Sequence, residues 1–303
     1  MKANIAIFLC MLFSALPVFA DLNVLKIPRP QSEFDVLQDY YTGLLREALI
    51  KGADGREVPQ LRETALMEQG RAAYELNRGK LVDVFWMGTS ILREQQLRAI
   101  RIPLARGLIG YRRFIIRADR RIDFDAISDL EGLKKQVACQ GLDWPDVDIL
   151  RAAELTVIAS PGFESLYQQL AAGRCDYFPR GYYEARAELE KRSLIYPQLE
   201  VYNSLVLHYP FAIYFFVKKD NELLAQWIER GLEKMIDDGT LLAYMKNHSL
   251  TSDVFPLEKI KNSARTIHIS NPYLPADTDY LDPRYWFKPE DFIAPFEISS
   301  SNE

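Results

Sequence analysis

The sequence predicts an α/β protein whose sheets are mainly parallel and are covered by helices on both faces. Short apolar runs typical of strands alternate with amphipathic segments long enough for helices. Glycines end most of the helical segments, and the chain shows no internal repeat and no low-complexity linker. Strands separated by helices form βαβ units, and such units build parallel sheets with a helical layer on each face.

The individual elements follow from hydrophobic periodicity and from the residues that interrupt it. Apolar pairs recur at helical spacing through residues 35–51, and Gly52 ends this helix. Thr89 or Ser90 is placed to cap the helix that follows, and Pro145 suits a first helical turn. The predicted strands are residues 24–27, 81–86, 111–117, 136–141, 155–159, 175–178 and 211–217. The predicted helices are residues 35–51, 65–76, 125–133, 163–172 and 222–238, with further helices opening near residues 90 and 143.

The first twenty residues have the three parts of a secretory signal peptide. Lys2 carries the only charged side chain, residues 5–13 form an apolar run, and a Val-x-Ala cleavage motif ends at Ala20. The run is shorter than the roughly twenty residues that span a bilayer. We therefore expect cleavage before Asp21 and export of the mature chain. Cys10 lies inside the apolar run, so no lipid anchor is expected.

Composition narrows the functional class. The chain has 303 residues and a formal charge of −5, and its length suits two lobes. An acidic chain is a poor candidate for sequence-independent nucleic-acid binding, and no later segment is long and apolar enough to enter a membrane. The three histidines are too few and too scattered for a His-based metal site. The chain also lacks the H-E-x-x-H, paired C-x-x-C, G-x-S-x-G and P-loop motifs. We therefore expect no metal, no cofactor and no catalytic residue. The sequence therefore favours binding over catalysis.

Four strings, in their order and spacing, resemble the family-3-type periplasmic solute-binding proteins that serve ABC transporters of polar amino acids. The strings are Gly-Lys-Leu-Val-Asp-Val at 79–84, Asp-Leu-Glu-Gly-Leu-Lys with Val-Ala-Cys-Gln-Gly at 129–141, a helix followed by Ala-Gly-Arg-x-Asp at 164–176, and Phe-Phe-Val-Lys-Lys-Asp-Asn at 215–221. The resemblance covers most of residues 21–250.

This resemblance implies a two-lobed periplasmic-binding-protein clamshell with two crossovers between the lobes. Such proteins hold a small solute between the lobes and close by a hinge motion, so the ligand selects the closed state. The Pro-rich and aromatic tail from about residue 252 would wrap one lobe as ordered coil. A monomer in the periplasm is expected. The implied boundaries are residues 21–117 and 211–303 for lobe 1, residues 118–210 for lobe 2, and crossovers near residues 117–120 and 207–210.

Cys139 and Cys175 are the two cysteines that follow the signal peptide, and the family places their strands side by side. An exported protein meets an oxidising compartment that permits a disulfide between them. Two buried free thiols are the alternative, because the sequence alone does not give the distance between two cysteines.

Arg180 is the first candidate for a ligand contact. Family members that bind amino acids carry, after the Ala-Gly-Arg-x-Asp strand, a carboxylate that pairs with the ligand's ammonium group. Here that region presents Arg180, and the first carboxylate after it is Glu184. Arg180 lies at the carboxyl end of a predicted parallel strand, and its guanidinium can hold a carboxylate by two hydrogen bonds. The solute is therefore expected to be anionic or zwitterionic; the alternative is an arginine paired within the protein.

The other candidates lie at the ends of predicted strands or soon after them. Gly141, Asp143 and Trp144 belong to a turn whose free N–H groups could receive an anion, although an ordinary turn capped by Asp143 is the alternative. Trp86 and Trp144 are rigid aromatic walls that could enclose a flat ligand, with core packing as the alternative for Trp86. The family places hydroxyl and guanidinium contacts after the lobe 1 strand, here at Thr89 and Arg93.

These observations predict a periplasmic substrate-binding protein, and not an enzyme, that captures a small polar, anionic or zwitterionic, amino-acid-like solute for an ABC transporter. Its partners would be the solute and an inner-membrane permease. One alternative is a ligand-sensing receptor that works with a membrane signalling partner. The other is a dehydratase-like enzyme on the same fold, which would need a general acid or base such as Glu164 or Glu184.

Overall fold

The computed structural model of the protein describes residues 23–258, 260 and 265–292. The predicted signal peptide at residues 1–20 lies outside the described residues. The described strands are β1 Val24–Ile27, β2 Gln60–Glu63, β3 Val84–Gly88, β4 Leu97–Ile100, β5 Tyr111–Arg117, β6 Val137–Gly141, β7 Thr156–Ser160, β8 Tyr177–Gly181, β9 Leu199–His208, β10 Ile213–Lys218 and β11 Arg265–His268. The described α-helices are α1 Leu37–Lys51, α2 Gln69–Arg78, α3 Ile91–Gln96, α4 Arg121–Asp125, α5 Leu130–Leu133, α6 Asp146–Ala152, α7 Phe163–Ala171, α8 Ala185–Arg192, α9 Glu222–Asp237 and α10 Thr240–Asn247. None of them is long and apolar enough to span a bilayer.

The largest sheet has six strands in the order β11-β9-β5-β8-β6-β7. Strands β8, β6 and β7 run parallel, and β11 runs parallel to β9, whereas β5 is antiparallel to both β8 and β9. Both faces are covered, because Phe114 and Ile116 of β5 pack in the main hydrophobic core while Ile115 packs in a second core with Tyr167 and Phe178. The predicted α/β class, with a mainly parallel sheet between helices, is confirmed.

A second sheet has three strands in the order β3-β10-β4, and β1 and β2 form a separate parallel pair. Strand β10 is antiparallel to both of its neighbours, in contrast to the mainly parallel pairing expected in each lobe. Strands β3 and β4, joined by α3, point in the same direction. Strand β10 arrives from the six-stranded sheet and lies between them in the opposite direction, which makes every pairing in this sheet antiparallel.

The chain passes between these two sheets at residues 101–110 and again at residues 209–212. Since β5 lies in the six-stranded sheet, the first passage comes before Tyr111, earlier than the crossover expected near residues 117–120. Those residues instead form a 3-10 turn at the far end of β5. The two passages contact each other, because the backbone N–H of Tyr209 donates to the carbonyl of Gly110 at 3.2 Å.

A disulfide joins Cys139 in β6 to Cys175 before β8, with the two Cα atoms 5.7 Å apart. The sequence left open a disulfide or two buried free thiols, and the structure contains the disulfide. It ties two strands of the six-stranded sheet within the second hydrophobic core.

The tail that follows residue 252 contacts both sheets, and not one lobe as expected. Strand β11 extends the six-stranded sheet beside β9. Farther along, the carbonyl of Tyr273 accepts a hydrogen bond from the N–H of Ile91 at the start of α3. The buried ring of Trp286 then packs against Gly107 in the first passage between the sheets. The tail therefore runs across the region where the two sheets are joined.

Candidate ligand-binding site

A cavity of about 90 Å³ lies between the two sheets, at the carboxyl ends of β3, β6 and β8. This is the edge at which α/β sheets bind ligands. The N-terminal part of α1, the segment before it and the second passage complete the wall. The aromatic lining residues are Tyr41, Phe85, Trp86, Trp144, Phe163 and Phe211. The buried charged lining residues are Arg112, Asp146, Arg180 and Glu184.

The structure places both Trp86 and Trp144 in the cavity wall. Trp86, in the middle of β3, stacks on Tyr41 of α1 with ring centroids 5.6 Å apart and an interplanar angle of 23°. Trp144, which follows β6, lies 5.9 Å from the ring of Phe163. Each indole is therefore held by a neighbouring aromatic ring and gives the cavity a fixed apolar surface.

Arg180 also lines the cavity, but its guanidinium is already paired within the protein. Its Nε and Nη2 donate to Glu188 Oε2 at 2.7 Å and to Glu188 Oε1 at 2.6 Å. Its Nη2 lies 2.9 Å from Glu184 Oε2. Burial lowers the pKa of Arg180, but the carboxylates of Glu184 and Glu188 outweigh burial and raise it well above its ordinary value. The bidentate contact that the sequence suggested for a ligand carboxylate is thus made by Glu188, which is the paired alternative.

Arg93 joins the two sheets beside the cavity and is not among the described residues that line it. Its Nη1 donates to the carbonyl of Gly88, and its Nη2 donates to Gln69 Oε1, both at 2.5 Å. Nη2 also donates to the carbonyl of Asp143, across from the six-stranded sheet. Burial lowers the pKa of Arg93 to about 10. The guanidinium therefore links α3 to the turn after β6 rather than pointing to a solute.

Thr89 is 1% exposed and does not reach the cavity wall. Its hydroxyl donates to Glu94 Oε1 at 2.5 Å. The helix cap is made by Ser90, whose hydroxyl oxygen accepts from the N–H of Arg93 at 3.3 Å. The cap that the sequence allowed to Thr89 or Ser90 is therefore made by Ser90, and the hydroxyl of Thr89 is directed at Glu94.

Two N–H groups of the turn at residues 141–145 donate to carbonyl groups of the protein. The N–H of Trp144 donates to the carbonyl of Gly141 at 3.0 Å, and that of Leu142 donates to Ser160 O at 2.9 Å. The side chain of Asp143 is exposed, and helix α6 begins three residues later with no side-chain cap among the described residues. Gly141 and Asp143 lie outside the described cavity wall, so this turn contributes Trp144 alone of the three predicted residues.

Arg112 and Asp146 are site residues that the sequence reasoning missed. Arg112 is 2% exposed, and its Nη2 lies 2.7 Å from Asp146 Oδ1. The hydroxyl of Tyr209 donates to the same carboxylate oxygen. The signal for Arg112 was available in the alternation of β5, because residue 112 shares a strand face with the core residues Phe114 and Ile116. A charged residue on a buried face requires a partner, and the partner is Asp146.

The two carboxyl groups considered for acid–base chemistry differ in their surroundings. Glu184 lines the cavity and is 2% exposed, and burial raises its pKa although Arg180 opposes the shift. Glu164 lies outside the wall. Burial raises the pKa of Glu164, but Arg192 and the hydroxyl of Ser32 outweigh it and leave the pKa lowered. No group of three or more His, Cys, Asp or Glu among the described residues could hold a metal ion.

Further contacts join the two sides of the cavity. The hydroxyls of Tyr41 and Tyr183 lie 3.0 Å apart. The hydroxyl of Ser32, before α1, donates to Glu164 Oε1 of α7 at 2.7 Å. These contacts hold the N-terminal segment and α1 against elements of the six-stranded sheet, and Arg93 does the same for α3.

The arrangement defines a class of structure, the two-lobed α/β fold of periplasmic solute-binding proteins. Neither a protein-family model nor a curated protein matches the sequence. Solved structures do match. An ancestral arginine-binding protein bound to arginine has a TM-score of 0.56 and 18% identity, over 74% of this chain and 97% of that chain.

Two further solved structures share the fold. A periplasmic binding protein of Salmonella typhimurium with high arginine specificity has a TM-score of 0.53 and 15% identity, over 74% of this chain and 98% of that chain. A putative L-cystine ABC transporter protein from Listeria monocytogenes has a TM-score of 0.53 and 16% identity, over 77% of this chain and 98% of that chain. At such identities the likeness establishes the fold.

Proposed function

We propose that the protein is a periplasmic substrate-binding protein that captures a small zwitterionic, amino-acid-like solute for an ABC transporter. The cavity between the two sheets is the observation that carries the proposal. Its volume of about 90 Å³ lies well below the roughly 300 Å³ at which drug-sized pockets begin, so a ligand held there must be small. The buried part of its wall contains two arginines, Arg112 and Arg180, and two carboxylates, Asp146 and Glu184. Because these charges balance, the wall favours a zwitterion over a plain anion.

The division into two lobes belongs to the same proposal. We place the hinge at the two passages, residues 101–110 and 209–212, since these are the short segments that join the sheets; the longer segment from β10 to β11 joins them as well. A solute that contacts both sides of the cavity would favour the closed arrangement over an open one. In this role the signal peptide at residues 1–20 directs export of the protein, and the protein delivers its solute to an inner-membrane permease. The solved structures with the same fold, named for arginine binding and for a cystine transporter, support it.

A thermal-shift screen of the mature chain from Asp21 tests this function. Single amino acids, including L-arginine, L-glutamine and L-cystine, would be added beside dicarboxylates such as succinate. A solute that binds only the native state stabilises it by about 2.7 kcal/mol at one hundred times its Kd, which raises the melting temperature. If no solute in either group raises the melting temperature, the proposed function fails.

The enzyme alternative rests on Glu184, a buried carboxyl group with a raised pKa in the cavity wall. Each solute that stabilises the protein would be incubated with it and recovered by chromatography. Conversion of the solute to a product, lost in Glu184→Gln, would favour the enzyme over the carrier.

A further inference from the structure

After β11 the tail leaves the six-stranded sheet and returns to the other side of the cavity, and it is tied to both sides. The N–H of Ile269 donates to the carbonyl of His208, the last residue of β9, at 2.9 Å. Four residues later the carbonyl of Tyr273 accepts from the N–H of Ile91 at 2.9 Å, at the start of α3. We call residues 269–287 the strap.

The strap also contacts both passages between the sheets. In the second passage, the carbonyl of Pro210 accepts from Asn271 Nδ2 at 2.9 Å. The first passage begins with Arg101, whose guanidinium pairs with the carboxylate of Asp277. The strap therefore crosses the two segments at which we place the hinge.

The first passage bends sharply where the strap covers it. Arg106 and Gly107 have φ of +48° and +80°, and a residue other than glycine keeps such a conformation only where its surroundings hold it. The guanidinium of Arg106 donates to the carbonyls of Pro283 and Arg284 at 2.7 and 3.0 Å. The N–H of Phe287 donates to the carbonyl of Arg106 at 3.0 Å. These contacts with the strap hold the bend in place.

The length of the strap limits how far the two sides of the cavity can separate. Four fully extended residues span at most about 14 Å, so the contacts of Ile269 and Tyr273 hold together only within that distance. A wider opening requires the release of one of them. The contact of Ser32 with Glu164 across the cavity is formed in the same structure, so the strap contacts belong to the closed arrangement.

We infer that the strap holds the two sheets in the closed arrangement before any solute binds, and that opening requires its release at residues 271–273. This inference rests on the hinge of the proposed function. A closed arrangement that is already populated raises the apparent affinity for a solute, since less of the binding energy is used to reach it.

The distance between two spin labels tests the inference without a solute. Ile50→Cys on α1 and Leu194→Cys after α8 place one label on each side of the cavity, at side chains that are 50% and 97% exposed. The native cysteines are joined in the disulfide and do not react with the label. Pulsed electron–electron double resonance on the mature chain then gives the distribution of distances, and we expect a single maximum.

Ile91→Pro combined with Asn271→Ala releases the strap from α3 and from the second passage. Ile91 is the first residue of α3, a position that suits proline, and Ser90 before it is extended, as a residue before proline prefers. Because the hydrogen bonds to the carbonyls of Tyr273 and Pro210 are lost, the ratio of closed to open protein should fall about tenfold, with a second maximum at longer distance. Ile91→Ala is the matched control, since it keeps the N–H and should keep the single maximum.

An unchanged distribution in the double variant, or two maxima already in the parent protein, overturns the role of the strap and leaves the carrier function intact. Melting temperatures are measured alongside, and a lower melting temperature with an unchanged distribution assigns the strap a structural role only. If the double variant does not fold, Asn271→Ala alone replaces it, and a smaller second maximum is expected. Failure of every solute in the thermal-shift screen overturns the carrier function but does not alter the distances measured without a solute.

Discussion

Arg180 and Glu188 form a bidentate ion pair beneath the cavity, with Nε to Oε2 at 2.7 Å and Nη2 to Oε1 at 2.6 Å. Both side chains are nearly completely buried, and the hydroxyl of Tyr167 donates to the same carboxylate. The planar geometry that would suit a ligand carboxylate is thus used to join β8 to α8. The pair therefore holds the wall of the site in place, and any contact with a solute is left to the neighbouring residues of that wall.

Removing the cation of this pair should destabilise the fold strongly. Arg180→Met leaves Glu184 and Glu188 as buried carboxylates without a full counter-charge, so the free energy of unfolding should fall by about 3–5 kcal/mol. Urea unfolding followed by circular dichroism measures the change. Arg186→Met on α8 is the control, because Arg186 and its partners Glu190 and Asp253 are all about 60% exposed, and the expected loss is about 0.5 kcal/mol. Equal losses in the two variants would contradict the assignment.

Local pattern predicted most of the elements, but it did not predict which sheet each strand joins. The apolar stripe of residues 35–51 is buried, and the αL glycines Gly79 and Gly173 follow helices as expected. The expected boundary at residue 117 put β5 in lobe 1, whereas β5 pairs with β8 and β9 in the six-stranded sheet. The reason is that a buried apolar strand has the same sequence pattern in either sheet. Its partners β8 and β9 are set by contacts more than sixty residues away in sequence, which no local pattern contains.

The same distinction holds at the site. Trp86 and Trp144 could be proposed because Trp86 ends one predicted strand and Trp144 follows another, and strand ends meet at one edge of a sheet. The pairing of Arg180 with Glu188 depends on how α8 packs back on β8, which the sequence spacing alone does not give. Arg112 carried a readable signal, a charge on the buried face of a strand, and only the identity of its partner Asp146 required the structure.

Reduction of the Cys139–Cys175 disulfide should weaken the fold without any mutation. The cross-link closes a loop of 36 residues, for which the chain-entropy relation gives about 4 kcal/mol of stabilisation. Urea unfolding of the mature chain with and without dithiothreitol measures the difference. Alkylation under denaturing conditions is the companion experiment, with no modified cysteine expected before reduction and two after it. Two modified cysteines before reduction would contradict the cross-link.

Gly107 is expected to tolerate no side chain, because its backbone and its surroundings both exclude one. Its φ of +80° lies in the left-handed region, and a Cβ there would meet the ring of Trp286 at 2.3 Å. Gly55 has a φ of +83° with no atom within 4 Å of its Cβ position, so Gly55→Ala measures the backbone term alone, about 1 kcal/mol. Gly107→Ala should cost about 2–4 kcal/mol in urea unfolding, since overpacking against Trp286 adds to that term. A difference below the error of measurement would show that the tail does not pack on the passage between the sheets.

The free energy of unfolding should rise with pH between about 4 and 6.5 because of His208. Its Nδ1 lies 3.1 Å from the Nδ1 of His268 in the neighbouring strand β11, and burial, with a smaller contribution from His268, lowers the pKa of His208 from 6.5 to about 4. Between these values the unfolded chain binds a proton that the folded chain does not, so folding is favoured as pH rises through the window. The expected gain is about 2 kcal/mol, from the size of the shift reduced for partial exposure to solvent. Urea unfolding at pH 4.5 and 7 should show a smaller difference between the two pH values in His208→Gln than in the parent protein. A parent-like difference in the variant would assign the pH dependence to other groups.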